Sequence, residues 1–477
     1  MTGTTAPVAR QHQDIPETVA RLRDTFDSGV TRPVAWRRRQ LQALRRMLLD
    51  HASAIEEALY DDLRKGRTES HLTEIGGVLA ETEHALRHLG RWTRPRRVAV
   101  PLNIKLATAR VHPEPLGVCL IIAPWNYPLT LTLNPLVGAL SAGNAAVVKP
   151  SELAPATSAL LADLLPRHLE AVTVVEGAVE ETTTLLAQRF DHIFYTGNGT
   201  VGRIVATAAA KHLTPVTLEL GGQSPAFVDE TADMAVTARR LAWGKFTNAG
   251  QTCVAPDYVL VTRAARDSLL AELPGAVREM FGVDPRAGSD YGRIVNDRHF
   301  HRLTGLMGAG DLLTGGDFDA EDRYIAPTVL TDVPPQAPVM AEEIFGPILP
   351  VLTVRDVHEA VDFINARDKP LSLYAFTRDR AARRALLEET SSGGLVYNAP
   401  MIHLGVPNLP FGGVGESGMG AYHGKTSFDT FSHHKPVLSK PTRHDTLRLV
   451  YAPHTSRSFA LIARAVSRTH PLLGRKR

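Results

Sequence analysis

Cysteine is almost absent: a chain of 477 residues holds two, Cys119 and Cys253. Two thiols form at most one bridge, so a disulfide scaffold is excluded, and this usage fits a reducing, cytoplasmic setting. There is no CxxC pair and no His/Cys cluster, which argues against a structural metal. No stretch approaches the roughly 18–20 uninterrupted apolar residues of a membrane-spanning helix. Met1 to Pro16 has no apolar core that would serve as a secretory signal. A strong charge imbalance is also missing. The net charge of +3 comes from the end of the chain, where Lys440 onward has nine Lys or Arg against one acid. The remainder holds 44 basic and 49 acidic residues, a balance of −5, and gives no support to a nucleic-acid face.

What is present belongs to a soluble globular protein: 44% hydrophobic and 22% charged residues. The length exceeds one ordinary core, so two or three domains are expected. From about Trp36 to Leu89 leucines recur at helical spacing, for example Leu41, Leu44 and Leu48. Four histidines fall here (His51, His71, His84, His88) and are expected on solvated helix faces. Val98 to His112 then reads as a strand pair around Pro101-Leu102-Asn103, a hairpin with no partner nearby in sequence.

The texture changes at Leu116. Leu116 to Ala123, Ala145 to Val148, Val172 to Val175, His192 to Tyr195 and Val216 to Leu220 are apolar runs separated by helical stretches. Such alternation predicts an α/β fold with a parallel sheet covered on both faces. Ligands of these sheets bind beyond the carboxyl ends of the strands. Asn126, Lys149 and Gly197 each follow a strand. Ser151 is a candidate cap for a helix that Pro155 would help start. The fourth run leads into Gly197-Asn198-Gly199-Thr200-Val201-Gly202, a GxGxxG opening a helix, where backbone can approach a pyrophosphate. Spacing alone would assign Glu219 to a cofactor ribose. Glu152 competes for that place, which leaves Glu219 for chemistry.

Asn248-Ala249-Gly250-Gln251-Thr252-Cys253 sets the second cysteine among small and polar residues. Cys119, within Val118-Cys119-Leu120-Ile121-Ile122, has the setting of a packed thiol. From its own stretch, a reactive and a core role for Cys253 are evenly matched. A second alternation follows it: Tyr258 to Val261, Leu312-Leu313, Thr328 to Leu330, Leu349 to Val354, Leu371 to Phe376 and Leu395 to Tyr397. The run Phe411 to Gly420 is a glycine-rich loop with close backbone packing, not a phosphate loop. Near the end, Phe459, Ile462 and Val466 share one helical face, with Arg457, Arg464 and Arg468 opposite, until Pro471. A basic amphipathic helix of this kind can lie on an anionic membrane surface, pack on the body or stay disordered.

Seven motifs occur in order: Pro124-Trp125-Asn126-Tyr127-Pro128, Lys149-Pro150-Ser151-Glu152, Thr196-Gly197 with Val201-Gly202, Glu219-Leu220-Gly221-Gly222, Gly250-Gln251-Thr252-Cys253, Glu343-Ile344-Phe345-Gly346-Pro347 and Pro410-Phe411-Gly412-Gly413. The set resembles the aldehyde dehydrogenase superfamily from about Trp36 to about Lys440. Asn408 to Gly415 and Phe431 to Pro436 resemble its class 3 branch of fatty-aldehyde and coniferyl-aldehyde enzymes. Gln223 departs from the lysine usual after Glu-Leu-Gly-Gly, with little effect expected.

The resemblance implies a Rossmann-like cofactor domain (residues 1–92 and 113–218) and an α/β catalytic domain (219–404). It also implies a small β bridging and oligomerisation arm (93–112 and 405–440), which leaves a basic tail (441–477). It implies Cys253 as nucleophile, Asn126 as oxyanion donor and Glu219 as the base that activates water. Trp125, Lys149, Glu152, Thr196, Gly197, Val201, Gly202, Glu343 and Phe345 would hold NAD, with NADP also accepted. Tyr127, Leu129, Leu131, Trp243, Met401 and Ile402 are candidates to line an entry for an apolar aldehyde, and the apolar ones could as easily be core. A homodimer is expected, with no nucleic-acid partner. Localisation is expected to be cytoplasmic, with the basic tail as a membrane-surface contact. The rival reading is a dinucleotide-binding or structural relative that has lost the chemistry.

Overall fold

The five apolar runs become five parallel strands: Val118–Ile122, Ala145–Lys149, Val172–Val174, His192–Thr196 and Val216–Glu219. This computed structural model describes residues 14–101, 104, 106–443 and 445–469. All but Val216 of these strand residues are buried, as runs without polar alternation require. Alternate side chains feed two cores. Cys119, Ile121, Ala146, Val148 and Phe194 join one; Val118, Leu120, Ala145, Val147, Ile193 and Tyr195 join the other. Val118–Ile122 lies between Ala145–Lys149 and His192–Thr196, so the strand order reverses there. That reversal opens a crevice at the carboxyl ends. The glycine-rich loop supplies a sixth strand, Gly418–Met419, antiparallel to Val216–Glu219.

The helical region runs as Val34–Asp50, Ala52–Leu63 and Gly76–Trp92. A π-helical turn, Ser70–Ile75, precedes the last of these. An earlier helix, Ile15–Asp27, was not expected; it lays Ile15, Val19, Leu22 and Phe26 on the second core. His84 is a correction: it is buried against Trp92 rather than solvated. Ser151 is another. The helix Pro155–His168 does start at Pro155, but Asp62 serves its free N–H groups, accepting from Ala156 at 2.9 Å and Thr157 at 2.8 Å.

The second alternation forms a seven-stranded sheet in the order Asp311–Thr314, Thr328–Thr331, Ile348–Val354, Tyr258–Thr262, Pro225–Val228, Ser372–Phe376, Gly394–Tyr397. Only the first of these strands runs antiparallel to its neighbour. Pro225–Val228, central here, was missed in the sequence.

The chain divides into two compact units, residues up to 92 with 115–432, and 93–114 with 433 onward. Both large sheets belong to the first. Residues 405–431, expected in the bridging arm, lie in this larger unit, where Phe428 and Phe431 are buried. The second unit holds Arg96–Val98, paired with the strand Thr108–Pro115 up to residue 114, and beside them the strand Ser432–Ser439 from residue 433. Lys435 and Glu114 form an ion pair at 2.6 Å. The helix Ser456–Thr469 appears where the tail pattern placed one, with Phe459 exposed. Leu102, Asn103 and Pro471, with the side chains of Val466 and Arg468, lie outside the described residues.

Candidate active site

Cys253 follows a short 3-10 turn, Thr247–Gly250. Asn248, Ala249 and Gly250 are consecutive left-handed residues with φ of 53°, 51° and 74°. Glycine is required at the third, where a Cβ would stand 2.3 Å from the Gly346 carbonyl oxygen. Gln251 fastens the turn: its Nε2 donates to the Asn248 carbonyl at 3.1 Å and the Arg293 carbonyl at 2.9 Å, and its Oε1 accepts from Val295 N–H at 3.0 Å. Tyr127 and Thr252 share a hydroxyl hydrogen bond of 2.8 Å, and Tyr374 donates to the Val254 carbonyl at 2.5 Å. Cys253 is half-buried and free. Burial, then the carboxyls of Glu343 and Glu219, push its thiol well above the usual range, against the backbone N–H groups of Cys253 and Val254.

Asn126 lies just beyond the strand Val118–Ile122 and is buried. Its side-chain amide donates to the Gln251 carbonyl at 3.0 Å. Glu219 ends its strand opposite Thr196 on one side and Gly418 on the other. Both carboxyl oxygens are buried without a hydrogen-bond partner, and burial raises its pKa well above the usual carboxylate range. Asn126 is thus tied to the loop that carries Cys253, and the Glu219 carboxyl lies near enough to act on the Cys253 thiol.

The loop bearing Glu343 and Phe345 closes another side. Glu343 accepts the Gly222 N–H, and burial with the nearby Asp257 raises its carboxyl to about 8. A Cβ on Gly221 would stand 1.9 Å from Glu343 Oε2, so only glycine allows this approach. Asp257 accepts Ile344 N–H at 3.1 Å. Trp125 meets the Phe345 ring edge-on at 5.4 Å between centroids. Gln223, set aside in the sequence, holds this loop: its Nε2 donates to the Met340 carbonyl at 3.0 Å and the Glu342 carbonyl at 3.1 Å. A cavity of about 730 Å³ lies along Gly221, Gly222, Gln223, Glu343 and Ser417, a size suited to part of a cofactor.

At the sheet's other carboxyl ends, the helix Gly199–Ala210 begins directly after Gly197, with Asn198 accepting Val201 N–H at 3.0 Å. A Cβ on Gly202 would stand 2.9 Å from Leu220, so glycine sets the helix close to the neighbouring strand. Thr196 Oγ1 is buried without a partner. Lys149 is buried and donates to the Pro150 carbonyl at 2.8 Å and to Glu152 at 3.3 Å, leaving Glu152 half-exposed. Burial lowers the Lys149 pKa. An orphaned hydroxyl, a glycine approach and a helix amino terminus together fit a dinucleotide.

The candidate substrate residues separate. Trp243 and Cys253 pack against the same core, and Met401 is buried there with a left-handed φ of 63°. Tyr127 is tied to Thr252. Leu131 is half-buried and Ile402 exposed. Leu129 is fully buried in the helical core and is corrected to a packing residue. Lys65 and Glu74 escaped notice, although both are completely buried beside Asn126. Their one sequence signal is the glycine after each helical break, Gly66 and Gly76.

A doubly wound sheet with a glycine approach to a helix amino terminus, and a free thiol close by, fits a dinucleotide-dependent enzyme that works through sulfur. Residues 4–437 match the aldehyde dehydrogenase family, and the chain belongs to it. It is 50% identical over 442 residues to rat aldehyde dehydrogenase family 3 member A2, covering 92% of this chain and 91% of the relative. It is 49% identical over 428 residues to the rat dimeric NADP-preferring aldehyde dehydrogenase, covering 89% and 94%. Among solved structures, the substrate-bound state of Staphylococcus aureus AldH superposes with a TM-score of 0.92 at 44% identity, covering 95% of this chain and 99% of that one. The NAD-dependent aldehyde dehydrogenase of Sinorhizobium meliloti does so at 0.83 and 28%, covering 91% and 88%. These matches carry the class 3 kinship read from the motifs.

Proposed function

We propose that the chain oxidises an apolar aldehyde, aliphatic or aromatic, to its carboxylic acid, with Cys253 as nucleophile. The observation that carries the reading is the Cys253 thiol, with the Asn126 amide bonded to its loop and the partnerless Glu219 carboxyl acting on it. The thiol gives its proton to water, and its sulfur adds to the aldehyde carbonyl, giving the anion of a thiohemiacetal. The Asn126 amide and the Cys253 backbone N–H hold the oxyanion that forms. Trp125, Lys149, Glu152, Thr196, Gly197, Val201, Gly202, Glu343 and Phe345 would hold NAD or NADP, which would supply the hydride acceptor. The product on sulfur is a thioester. Glu219 takes a proton from water, the hydroxide adds to the thioester, and the thiolate departs as the acid forms. A water at Glu219 also meets carboxyl oxygens that otherwise have no partner.

The six-stranded sheet would serve the cofactor and supply Asn126 and Glu219, and the segment leading into the seven-stranded sheet would supply Cys253, with residues 93–114 and the strand Ser432–Ser439 as the bridging arm. The rat relative whose name calls it dimeric and NADP-preferring supports a homodimer and use of NADP, while the carboxylate of Glu152 favours NAD. Among the described residues no helix is long and apolar enough to cross a membrane. The exposed Phe459 and Leu461 beside basic residues support a surface contact through the tail. A silent relative is disfavoured, since the three reacting side chains are intact.

The test is NADH or NADPH formation with a panel of aldehydes from short aliphatic to aromatic. Turnover rising with apolar size is expected. Cofactor binding without turnover on any aldehyde would overturn the reading.

A further inference from the structure

Asn126 acts, on the reading above, through its side chain, yet its backbone is held with equal care. Its carbonyl oxygen accepts two hydrogen bonds, from Asn248 Nδ2 at 2.8 Å and from Lys65 Nζ at 3.2 Å. A carbonyl has two lone pairs, so this peptide plane is fully engaged. Lys65 is an unusual donor. Its side chain has no exposure, nor has that of its partner Glu74, 2.6 Å away. Two buried charges are costly to desolvate and persist only where good geometry compensates.

The local structure is built to make this pair. The helix Ala52–Leu63 ends at Arg64, whose left-handed φ of 54° redirects the chain inward. Gly66 follows, where a Cβ would stand 2.4 Å from the Ser289 carbonyl oxygen. The π-helical turn Ser70–Ile75 then brings Glu74 round to meet Lys65; such turns are enriched at functional sites. Glu74 uses both oxygens. Oε1 takes the lysine and Oε2 accepts Thr130 N–H at 2.9 Å, at the start of the helix Thr130–Ala142. The ammonium also lies 4.1 Å from the centre of the Tyr127 ring. The pair therefore brackets residues 126–130 from both ends.

We propose that Lys65 and Glu74 are positioning residues for catalysis, setting the peptide of Asn126 so that its side-chain amide faces the carbon attacked by Cys253. This rests on the assignment of Asn126 as oxyanion donor. A donor aimed before the substrate arrives needs no reorganisation when charge develops.

The experiment compares Lys65→Met, Lys65→Met with Glu74→Leu, Asn126→Ala, and Lys65→Met combined with Asn126→Ala. Each is measured for melting temperature, NAD binding, iodoacetamide labelling of Cys253, and kcat and KM. Because Lys65→Met strands a buried carboxylate and can unfold the chain, the double apolar replacement carries the decision. It removes both charges and keeps the volume. The expected result is a folded protein with kcat lowered by about 10- to 100-fold, up to the range of a lost oxyanion donor, with NAD binding and thiol labelling unchanged. In the Asn126→Ala background the Lys65 replacement should cost nothing further. Wild-type kcat in the double apolar variant overturns the proposal. So does a loss that persists undiminished without the Asn126 amide. Full activity in Asn126→Ala alone would instead sink the oxyanion assignment beneath it.

Discussion

The Asn126 side-chain amide and the Gln251 carbonyl are joined by a hydrogen bond of 3.0 Å, two residues before Cys253. Asn126 and the loop that carries Cys253 are thereby fixed to each other. Asn126→Ala should lower kcat by about 10²–10³ while leaving NAD affinity unchanged. Stopped-flow kinetics with cofactor titration would measure both. A fall in NAD affinity of the same size would show that the amide serves the cofactor instead.

Glu219 and Cys253 should fail differently. Cys253→Ala should abolish oxidation with cofactor binding intact. Glu219→Gln should let a burst of NADH form and then stall, with a thioester that mass spectrometry detects on Cys253. Because both oxygens of Glu219 lack partners, the isosteric amide should cost little stability. Full steady turnover in that variant would mean another base serves the water.

The pH dependence follows from burial. It raises the pKa of both Cys253 and Glu219, and both act in their deprotonated forms. Activity should therefore rise as pH climbs from neutral into the alkaline range, and fall towards acid as both groups hold their protons. A rate profile over that range checks the direction. In Glu219→Gln the burst rate should keep an alkaline rise, since only the thiol then titrates. A flat profile would mean that a bound cofactor or substrate brings both groups below neutral.

Gln223 offers a test confined to cofactor handling. Its two hydrogen bonds hold the loop that carries Glu343, and each is worth about 1 kcal/mol. Gln223→Ala should raise the KM for NAD about three- to tenfold, within the loss of two such bonds, with kcat little changed. An unchanged KM would return this position to a neutral departure from its family.

The parallel strands of the first sheet are legible in the sequence because each is a continuous apolar run and all but Val172–Val174 end in a motif. Pro225–Val228 is not, because four residues beginning with proline carry no periodicity. The site is legible in part for the same reason: Asn126, Lys149 and Gly197 follow strands closely, and Glu219 ends one. Lys65 and Glu74 escape because charged residues beside a helix break are ordinarily solvated. The true cap of the helix Pro155–His168 escapes because Asp62 is 94 residues from the group it serves. Gly418 illustrates the limit most plainly. A loop without a strand pattern becomes the edge partner of Glu219 once the sheet exists to receive it.

The left-handed run at Asn248, Ala249 and Gly250 has a bearing on how such a site can change. Two of the three carry side chains in a region that disfavours them, at a cost on the order of 1 kcal/mol each. The neighbouring loops therefore keep the turn wound whether or not a substrate is present. Swapping the residues beside Cys253 to widen an entry would press on that wound turn before it altered what enters. New specificities are better sought at Trp243 or Met401, which share a core with Cys253 and are proposed to line the entry, than in the turn that carries it.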